Sequence, residues 1–565
     1  MVRHRLLPAL VIGLVVLSVP MLTSAQPSPS KAVQGKQGMV VSVSAPASEV
    51  GVDILKKGGN AVDASVAVAF ALAVTYPAAG NIGGGGFMLV HPARGQGEPT
   101  VFEYRETAPA AATKDMFKKG ESHFTHRMVG VPGTVRGLAL AHKKFGKLPW
   151  KDVVMPAVEL AEKGFALDAP LAKSLNGIVR QATGEHAELV RVYGKNGKPE
   201  WTAGDRIVLG DLGKTLRLIA EQGPDAFYNG PIADQIAAEM KAGGGLITKE
   251  DLARYEAKER KPIHGTYRGH DVYGPPPPSS GGICLVEMLN ILENYDLKAQ
   301  GRWSKETLHL MIESMQRAFC DRARWLGDPD FTKIPTHLTT RGYAAKLTKE
   351  IDLAKATPSA ALGKDIPIAG ESEETTHFSV IDKDGLAVAN TYTLEHGYGS
   401  HIVVKGAGFL LNNEMMDFNH LSGVTDKKGT IGTDANLVAP GKRMLSSQTP
   451  TIVARNGNVL LVTGSPGSRT IINTVLGIVV SVVDFEMDVQ DAVDAPRMHH
   501  QWYPDETRYE NRGPLSAAAA QLKAMGHTMK TEPSQGDAHS IWVDPQTGAI
   551  LGAADRRISG KAAGY

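Results

Sequence analysis

Alternating apolar and polar positions predict a β-hairpin about two thirds of the way along the chain. The alternation runs through Thr375–Val380, the pair Asp384-Gly385 signals a tight turn, and Leu386–Thr393 returns as a second strand. Side chains on a strand alternate between its two faces, so one face of this hairpin carries a row of hydroxyls. The residues expected on that row are Thr375, His377 and Ser379 on the first strand and Thr391 and Thr393 on the second.

The pairing register of this hairpin is left open by the pattern. One register pairs Ile381 with Leu386, and a two-residue loop shifts the pairing by two places, with a bulged register between them. In each register Thr393 lies opposite Thr375 or one place away. The sequence therefore predicts that these two hydroxyls are neighbours.

The wider pattern predicts a layered α/β protein. Strands are expected on both sides of the hairpin and helices between them, so one sheet system should draw on residues from either side of Thr375. The region from Met128 to about Ala356 is predicted to be mostly helical. The individual elements are helices at Ala47–Lys57, Ala61–Val74 (capped by Asn60), Ser304–Leu326 and from near Arg469, a buried helix within Ile472–Phe485, and strands at Phe87–Val90, Thr100–Tyr104, Val459–Val462 and Ser540–Val543.

The N-terminus has the composition of a secretory signal peptide. A basic segment, Met1–Arg5, precedes an apolar stretch, Leu6–Leu22, and small residues at Thr23–Ala25 offer a cleavage site before Gln26. We predict a signal peptide over residues 1–25 and an exported mature chain, periplasmic or secreted. A retained membrane anchor is the alternative, but the stretch is short and holds two prolines, so no stable membrane span is expected.

Composition narrows the class of partner. The chain has 565 residues, 21% of them charged, and a formal net charge of +2. Nucleic acid is therefore not expected as a partner, because phosphate neutralisation needs clustered positive charge. Cys284 and Cys320 form no CxxC motif and are predicted to be buried free thiols, with a disulfide left open. His377 and His499-His500 lack metal-ligand spacing, so no metal or cofactor is expected.

The hydroxyl of an internal threonine is a weak nucleophile, and the residue has no base of its own to accept the hydroxyl proton. If the peptide bond before Thr375 were broken, the freed α-amine, with an ordinary pKa of about 8, could accept the hydroxyl proton. One residue would then supply nucleophile and base. The alternative is an edge hairpin of threonines, which are common in strands anyway.

Further candidate groups are an anion site and a pair of charged sites. The turn Thr463–Ser468 precedes a predicted helix, where backbone N–H groups can stabilise an anion. It lacks the Gly-Lys-Ser/Thr ending of a phosphate-binding loop. Glu414 and Asp417 could hold an ammonium group, and Arg105 could bind a carboxylate together with Ser446-Ser447. Each of these groups also has a structural alternative. The turn Thr463–Ser468 could be a plain turn, Glu414 and Asp417 could belong to a solvated acidic turn, and Arg105 could pair with a nearby acid.

Taken together, these motifs resemble the γ-glutamyltranspeptidase family, and the resemblance covers nearly the whole mature chain. The family belongs to the N-terminal-nucleophile hydrolases, which implies a four-layer αββα sandwich and a precursor that cuts itself before Thr375. The implied heterodimer has a large subunit of residues 26–374 and a small subunit of residues 375–565. The motifs are Gly80–Gly86, Arg105–Pro109, Thr375–Val380, Thr391–Thr393, Leu411–Phe418, Leu445–Ser447, Thr463–Gly467 and Ala563–Tyr565.

The resemblance also implies roles for single residues. The implied reaction is γ-glutamyl transfer from glutathione or a related amide to an amino acid, a peptide or water. Thr375 matches the nucleophile, and Thr393 matches the threonine that hydrogen-bonds it. The other matched residues are Arg105, Ser446 and Ser447 for the substrate α-carboxylate, Glu395, Glu414 and Asp417 for its α-amino group, and Gly467 and Ser468 for the oxyanion.

Three departures and three rival functions accompany the resemblance. Ser468 replaces a second glycine, Glu395 and Glu414 stand where some relatives carry amides, and the lid-like stretch 422–436 has no aromatic residue. The rivals are a cephalosporin (glutaryl) acylase, a transpeptidase that processes poly-γ-glutamate, and an uncut exported protein that only binds glutamate derivatives.

Overall fold

Two seven-stranded antiparallel sheets lie face to face at the centre of the computed structural model. The structure describes Met1 and residues 31–93, 96–118, 120–363, 366, 368–369 and 375–565. Apart from Met1, the predicted signal peptide lies outside the described residues, and so does Glu374 on the far side of the predicted cut. The segment Ala32–Tyr565 forms one compact unit.

Both sheets combine strands from the two sides of Thr375, as the pattern predicted. Sheet I has the spatial order Lys561–Gly564, Met39–Ser42, Thr376–Ile381, Ala387–Thr393, Gly85–His91, Thr100–Glu103 and Lys258–Arg260. Sheet II has the order Val33–Gly35, Ile550–Ala554, His539–Val543, Asn458–Thr463, Thr451–Arg455, His270–Gly274 and Ile263–Tyr267.

Side-chain alternation on the strands creates three apolar layers. In sheet I, Val380 and Val388 point to one group of helices, whereas Ala389 points to sheet II. In sheet II, Val462 points to sheet I and Leu461 to a second group of helices. Successive side chains of a strand point to opposite faces of its sheet, so a sheet whose side chains are buried on both faces must be covered by another layer on each face. The four-layer αββα arrangement is thereby confirmed.

The helices divide between these two outer layers. The first layer, against sheet I, contains Ala45–Lys56, Ala61–Thr75, Thr134–Phe145, Trp150–Lys163, Ala169–Gln181, Ala187–Tyr193, Gly210–Gln222, Asp225–Tyr228, Pro231–Gly243 and Lys249–Arg254. The second, against sheet II, contains Gly281–Leu292, Leu297–Gln300, Lys305–Trp325, Arg341–Lys349, Ser359–Leu362, Thr470–Val483, Val489–Asp494 and Gly513–Ala524.

Shorter elements complete the fold. Single 3₁₀ turns occupy His126–Met128, Gly184–His186, Thr336–Thr339, Glu414–Asp417 and Asp434–Asn436. Small sheets pair Phe165–Ala166 with Arg206–Ile207, pair Ile368–Ala369 with Thr430–Ile431, and join Met498–His499, Thr507–Glu510 and Met529–Glu532.

Local capping explains where the predicted helices begin. The Asn60 side chain accepts hydrogen bonds from the N–H groups of Val62 and Asp63, and Asp63 accepts from the Asn60 N–H in return. Ser304 caps the long Lys305–Trp325 helix in the same way through Thr307 N–H. These caps satisfy N–H groups that the first helical turn leaves without partners. The Asn60 cap and the Ser304–Leu326 helix are confirmed to within one residue.

The prediction that residues 128–356 are mostly helical did not identify three strands of the central sheets, besides the two short strands Phe165–Ala166 and Arg206–Ile207. Lys258–Arg260 and Ile263–Tyr267 lie at the outer edges of sheets I and II, and His270–Gly274 pairs next to the second edge. Most of their side chains are only partly buried. Edge strands bury little apolar surface, so their sequences lack the strong apolar alternation that marks a central strand.

Among the registers that the pattern left open, the hairpin that follows Thr375 takes the intermediate one. Ile381 pairs with Ala387 and Thr376 with Tyr392. The loop Asp382–Leu386 is held by Asp382, whose carboxylate accepts from Asp384 N–H and Leu386 N–H at 3.0 and 3.1 Å. That side-chain turn replaces the expected two-residue turn. Extending the register by one pair places Thr375 opposite Thr393, as neighbours.

Two smaller predictions can be compared with the fold. Cys284 and Cys320 are both buried and neither forms a disulfide, which confirms the prediction of buried thiols. In the described part of the chain, no helix combines the length and the apolarity needed to cross a bilayer.

Candidate active site

The hydroxyl row of the hairpin lies buried between the two sheets. His377 Nδ1 contacts Thr391 Oγ1 at 2.8 Å, and His377 Nε2 contacts Ser379 Oγ at 3.0 Å. Ser379 Oγ donates to the carbonyl of His539 on sheet II at 2.8 Å, so it must accept from His377 Nε2–H. This directed chain ties the hairpin to the facing sheet. His377 is thereby held at both ring nitrogens within the hairpin.

Thr393 is held by two groups. Asn81 Nδ2 donates to the Thr393 carbonyl at 2.9 Å, and the Thr393 hydroxyl oxygen accepts from Glu395 N–H at 2.8 Å. The Thr393 proton is therefore directed away from Glu395 N–H. Thr375 and Thr393 are both buried, at 4% and 2% exposure. A donor hydroxyl is thus oriented beside the candidate nucleophile.

The glycine run after Asn81 brings these backbones together. A Cβ on Gly84 would lie 2.0 Å from the Thr393 carbonyl oxygen, and one on Gly83 would lie 2.2 Å from the Leu410 carbonyl oxygen. Asn81 Oδ1 accepts from Gly84 N–H and from Thr134 Oγ1. Only glycine allows such close backbone approach. Asn81 was not singled out from sequence, although the Gly80–Gly86 motif contains it.

Nine of the ten predicted site residues line one small cavity. They are joined there by Gln448 and Ile471, which sequence reasoning did not single out, and Gly467 is the chain neighbour of the lining residue Ser468. The nine are Arg105, Thr375, Thr393, Glu395, Glu414, Asp417, Ser446, Ser447 and Ser468.

Arg105 lies at the centre of the charged part of the cavity and is 1% exposed. Its two terminal nitrogens donate to Glu414 and Asp417, and its Nη1 lies 3.7 Å from a Glu106 carboxylate oxygen. Nε and Nη2 also point to the carbonyls of Met444 and Leu445 at 3.4 Å. The sequence assigned the cation and the acids to separate substrate groups. In this structure they contact each other.

Burial dominates the electrostatics of this group. It raises the pKa of Glu414 well above its ordinary value, although Arg105 opposes the shift. Burial likewise raises the pKa of Glu106 to about 7, again against Arg105. Burial alone would lower the pKa of Arg105, but Glu414 and Asp417 raise it. The result is a guanidinium that stays charged, next to carboxyls that resist ionisation.

Among the residues that the structure describes, two groups of side chains have the proximity of metal ligands. One ligand atom each from Glu395, Glu414 and Asp417 lies within 4.8 Å of the others, a spacing that equally suits an ammonium group. The second group, His309, Glu313 and His527, lies elsewhere on the Lys305–Trp325 helix and its neighbours, with His309 Nδ1 2.7 Å from His527 Nε2. The sequence indicated neither group as a metal site.

The Ser446-Ser447 pair is bound to a turn from the other side of the predicted cut. Ser446 N–H donates to the Pro278 carbonyl, and Ser280 N–H donates to the Ser446 carbonyl, both at 2.8 Å. Ser446 Oγ accepts from Gln448 N–H at 3.1 Å. Ser447 Oγ accepts from Arg322 Nη2 at 3.0 Å. Each of the two hydroxyl oxygens therefore accepts a hydrogen bond.

The turn Thr463–Ser468 leads into the helix Thr470–Val483, as predicted. Gly467 has φ +124° and Ser468 φ +51°, both in the left-handed half of backbone space. The Gly467 carbonyl accepts from Thr470 N–H at 3.0 Å and the Ser468 carbonyl from Ile471 N–H at 3.2 Å. These bonds use the first two N–H groups of the helix, so an anion site at this turn would depend on the N–H groups of Gly467 and Ser468 at the positive end of the helix dipole.

The lid-like stretch 422–436 is attached to the cavity at its C-terminal end. Asn436 Nδ2 donates to the Asp417 carbonyl at 2.6 Å, and Asn436 Oδ1 accepts from Leu445 N–H at 2.9 Å. Leu421 and Val424, near the other end, are 50% and 49% exposed. Asn436 therefore connects this stretch with Asp417 and with Leu445, the residue before Ser446.

Comparison with known proteins places the whole arrangement in one family. The chain is 49% identical over 544 residues to the glutathione hydrolase proenzyme of Escherichia coli (strain K12), covering 94% of this chain and 93% of that relative. It is 44% identical over 486 residues to that of Pseudomonas sp. (strain A14), covering 85% and 84%. The cephalosporin acylase structure from Bacillus halodurans matches with a TM-score of 0.83 at 28% identity, over 97% of this chain and 99% of that one. Residues 47–565 match the family described as gamma-glutamyltranspeptidase, and the chain belongs to this family.

Proposed function

We propose that the chain is a self-processing γ-glutamyltransferase and glutathione hydrolase whose nucleophile is Thr375. The observation that carries the proposal is the cavity itself, because nine of ten residues chosen from sequence line it together. The 49% identity to a glutathione hydrolase proenzyme supports the same activity.

Activation is a cut before Thr375. The Thr375 hydroxyl attacks the Glu374 carbonyl and forms an ester as the peptide C–N bond breaks, which frees the Thr375 α-amine. Water then hydrolyses the ester and releases residues 26–374 from residues 375–565. The two products remain together because both sheets contain strands from each of them. The freed amine is the base that an internal threonine lacks.

Turnover is a two-step acyl transfer. The Thr375 amine takes the hydroxyl proton while the oxygen attacks the γ-carbonyl of the donor, and the leaving amine takes that proton. The γ-glutamyl-threonine ester then passes its acyl group to an amino acid, a peptide or water, which restores the hydroxyl. Thr393 orients the nucleophile. N–H groups at Gly467 and Ser468 stabilise the oxyanion of each tetrahedral intermediate.

Recognition of the donor follows from the charges in the cavity. Arg105 and the hydroxyls of Ser446 and Ser447 bind the α-carboxylate. Glu395, Glu414 and Asp417 bind the α-ammonium group. In the free cavity Arg105 contacts Glu414 and Asp417. When the zwitterionic donor binds, its α-carboxylate becomes the partner of Arg105 and its α-ammonium group becomes the partner of the two acids. The positive and negative charges in the buried cavity therefore stay balanced.

The acylase and the other rivals make different predictions. A glutaryl donor has no α-ammonium group, so it does not supply the cation that Glu395, Glu414 and Asp417 would bind. A polymer-processing relative cleaves poly-γ-glutamate, and a binding protein stays uncut. We further propose that the chain is exported, to the periplasm or the medium.

Electrophoresis and kinetics test the proposal together. Purified wild-type chain is expected to give two bands, with the smaller beginning at Thr375-Thr376-His377, and Thr375→Ala one band. The matched control is Thr376→Ala, because Thr376 is also buried but lies on the opposite face of the strand. Wild-type protein should hydrolyse γ-glutamyl-p-nitroanilide much faster than glutaryl-p-nitroanilide, with a gain when glycylglycine is added. A single wild-type band with full activity would refute self-processing, and the reverse donor preference would indicate an acylase.

A further inference from the structure

Arg322 lies behind the carboxylate-binding serines and is 3% exposed. It projects from near the C-terminal end of the Lys305–Trp325 helix. Its Nη2 donates to Ser447 Oγ and its Nε donates to Ser280 Oγ, both at 3.0 Å. A guanidinium thus reaches two serines, one on each side of the predicted cut.

The direction of these hydrogen bonds follows from arginine chemistry. A guanidinium has donors and no acceptor, so Ser447 Oγ must accept from Arg322. The single Ser447 proton then points elsewhere, and the side chain lines the cavity. Ser280 Oγ also accepts from Arg322, and it donates to the Ser446 carbonyl at 2.7 Å. One cation therefore orients one serine hydroxyl and, through Ser280, the backbone of the other.

Charge gives a second reason for this placement. Arg105 contacts Glu414 and Asp417 and lies near Glu106, so carboxylates surround the cation inside the cavity. Arg322 supplies a second guanidinium, which is separated from the proposed α-carboxylate site by the Ser447 hydroxyl. A hydroxyl that accepts from a cation is a better hydrogen-bond donor to a carboxylate, because hydrogen bonds in a chain polarise one another.

We propose that Arg322 is a positioning residue for the α-carboxylate of the donor, acting through Ser447 and through Ser280. The inference rests on the proposed function. It predicts an effect restricted to donors that carry an α-carboxylate, because neither self-cleavage nor attack on the γ-carbonyl involves that group.

The test uses Arg322→Met and Arg322→Lys in the full chain, with two donors. The donors are γ-glutamyl-p-nitroanilide and 4-aminobutanoyl-p-nitroanilide, which is the same amide without its α-carboxylate. Arg322→Met should mature to two bands and raise KM for the first donor about 10-fold with little change in kcat, since a hydrogen bond to a charged group is lost. Its kcat/KM for the second donor should stay within about 2-fold of wild type. Arg322→Lys should recover part of the KM loss.

Arg317→Met is the matched control. Arg317 is on the same helix and 2% exposed, but its hydrogen bonds run to Glu313, Glu350 and Thr357, away from the cavity. It should change both donors alike or neither. If Arg322→Met does not mature, Arg322→Lys and Ser280→Ala decide the matter by the same selective rise in KM, about 3-fold for Ser280→Ala, where a neutral hydrogen-bond partner is lost.

The outcomes separate the inference from the proposed function. Equal losses with both donors, an unchanged KM in Arg322→Met, or failure of all three variants to mature would overturn the role of Arg322. A wild-type enzyme that does not use γ-glutamyl-p-nitroanilide would instead overturn the proposed function.

Discussion

Asn81 donates a hydrogen bond from its side-chain amide to the backbone carbonyl of Thr393, over 2.9 Å. The two residues are 312 positions apart and lie on opposite sides of the predicted cut. The Asn81 amide is otherwise saturated, because it also donates to the Ala79 carbonyl and accepts from Gly84 N–H and Thr134 Oγ1. A saturated buried amide fixes its partner's position. The end of the strand that presents the Thr393 hydroxyl is therefore set by a turn in the other half of the chain.

Asn81→Asp should slow both self-cleavage and turnover. The substitution keeps the shape of the side chain but turns an oxygen toward the carbonyls of Thr393 and Ala79, so two donors are lost and repulsion is added. We expect a fall of about 10-fold or more in the rate of precursor cleavage and in kcat, read from timed electrophoresis and from p-nitroaniline release. Asn176→Asp is the control, since Asn176 makes a similar bond to the Trp201 carbonyl far from the cavity. Equal effects of the two changes would contradict a specific role.

The turn at Gly467 supports a second prediction, which concerns the proposed oxyanion site. A Cβ on Gly467 would lie 2.5 Å from Thr470 Oγ1, and its φ of +124° is one that L residues rarely adopt. Gly467→Ala should therefore shift the turn and lower kcat by about 100-fold, the usual effect of losing one oxyanion donor. Ser468→Ala keeps the backbone N–H and should stay within about 3-fold of wild type. Steady-state kinetics on the matured proteins checks both. A larger loss in Ser468→Ala would assign the role to the serine hydroxyl instead.

Glu414 supports a third prediction, about the acidity of the amino-group pocket. Glu414 is fully buried, accepts from Arg105, and burial raises its pKa well above the ordinary value. Glu414→Gln keeps an oxygen that can accept from Arg105, so KM for a γ-glutamyl donor should change by less than about 5-fold. Glu414→Leu removes the acceptor from a buried cation and should cost about 3 kcal/mol of folding stability or more. Comparing KM and the urea midpoint of the two variants tests this, and equal defects in both would show that the charge itself is required.

The alternating pattern was sufficient to predict the central hairpin, and the resemblance of short motifs to the γ-glutamyltranspeptidase family was sufficient to choose nine residues that line one cavity. The hairpin alternates in its own sequence, and the observed register lies within the range that the pattern left open, because only the loop Asp382–Leu386 was not predicted. The acids and serines could be assigned because each lies in a short motif with its own neighbours. These are local signals, which a single sequence contains.

Contacts made across the fold could not be predicted in the same way. Arg322 and Ser447 are separated by 125 positions, and nothing in either local sequence indicates the other. The pairing of Arg105 with Glu414 and Asp417 depends equally on how sheet I presents its ends to the 3₁₀ turn Glu414–Asp417. The missed edge strands near residue 265 have the same cause, since a partly exposed edge strand need not carry a strong apolar pattern.

Glu106 connects the charged cavity to the stability of the fold. Its side chain is fully buried beside Arg105, and burial raises its pKa from an ordinary 4.5 to about 7. A carboxyl whose pKa is raised in the folded state binds its proton more tightly there than in the unfolded chain. Its contribution to stability is therefore fully present below about pH 4.5 and is lost as the pH rises toward 7.

Glu106→Gln should remove this pH dependence, because the amide stays neutral throughout. We expect the difference in unfolding free energy between the wild-type and Glu106→Gln chains to change by about 1–3 kcal/mol between about pH 4.5 and pH 7.5, in favour of the amide at the higher pH. Urea unfolding should be measured on the uncut Thr375→Ala background, where a single chain can refold. The exposed Glu49, changed to Gln on the same background, is the control and should shift stability by the same small amount at both pH values. A Glu106→Gln difference that does not vary with pH would mean that the Glu106 carboxyl keeps one charge state across this range.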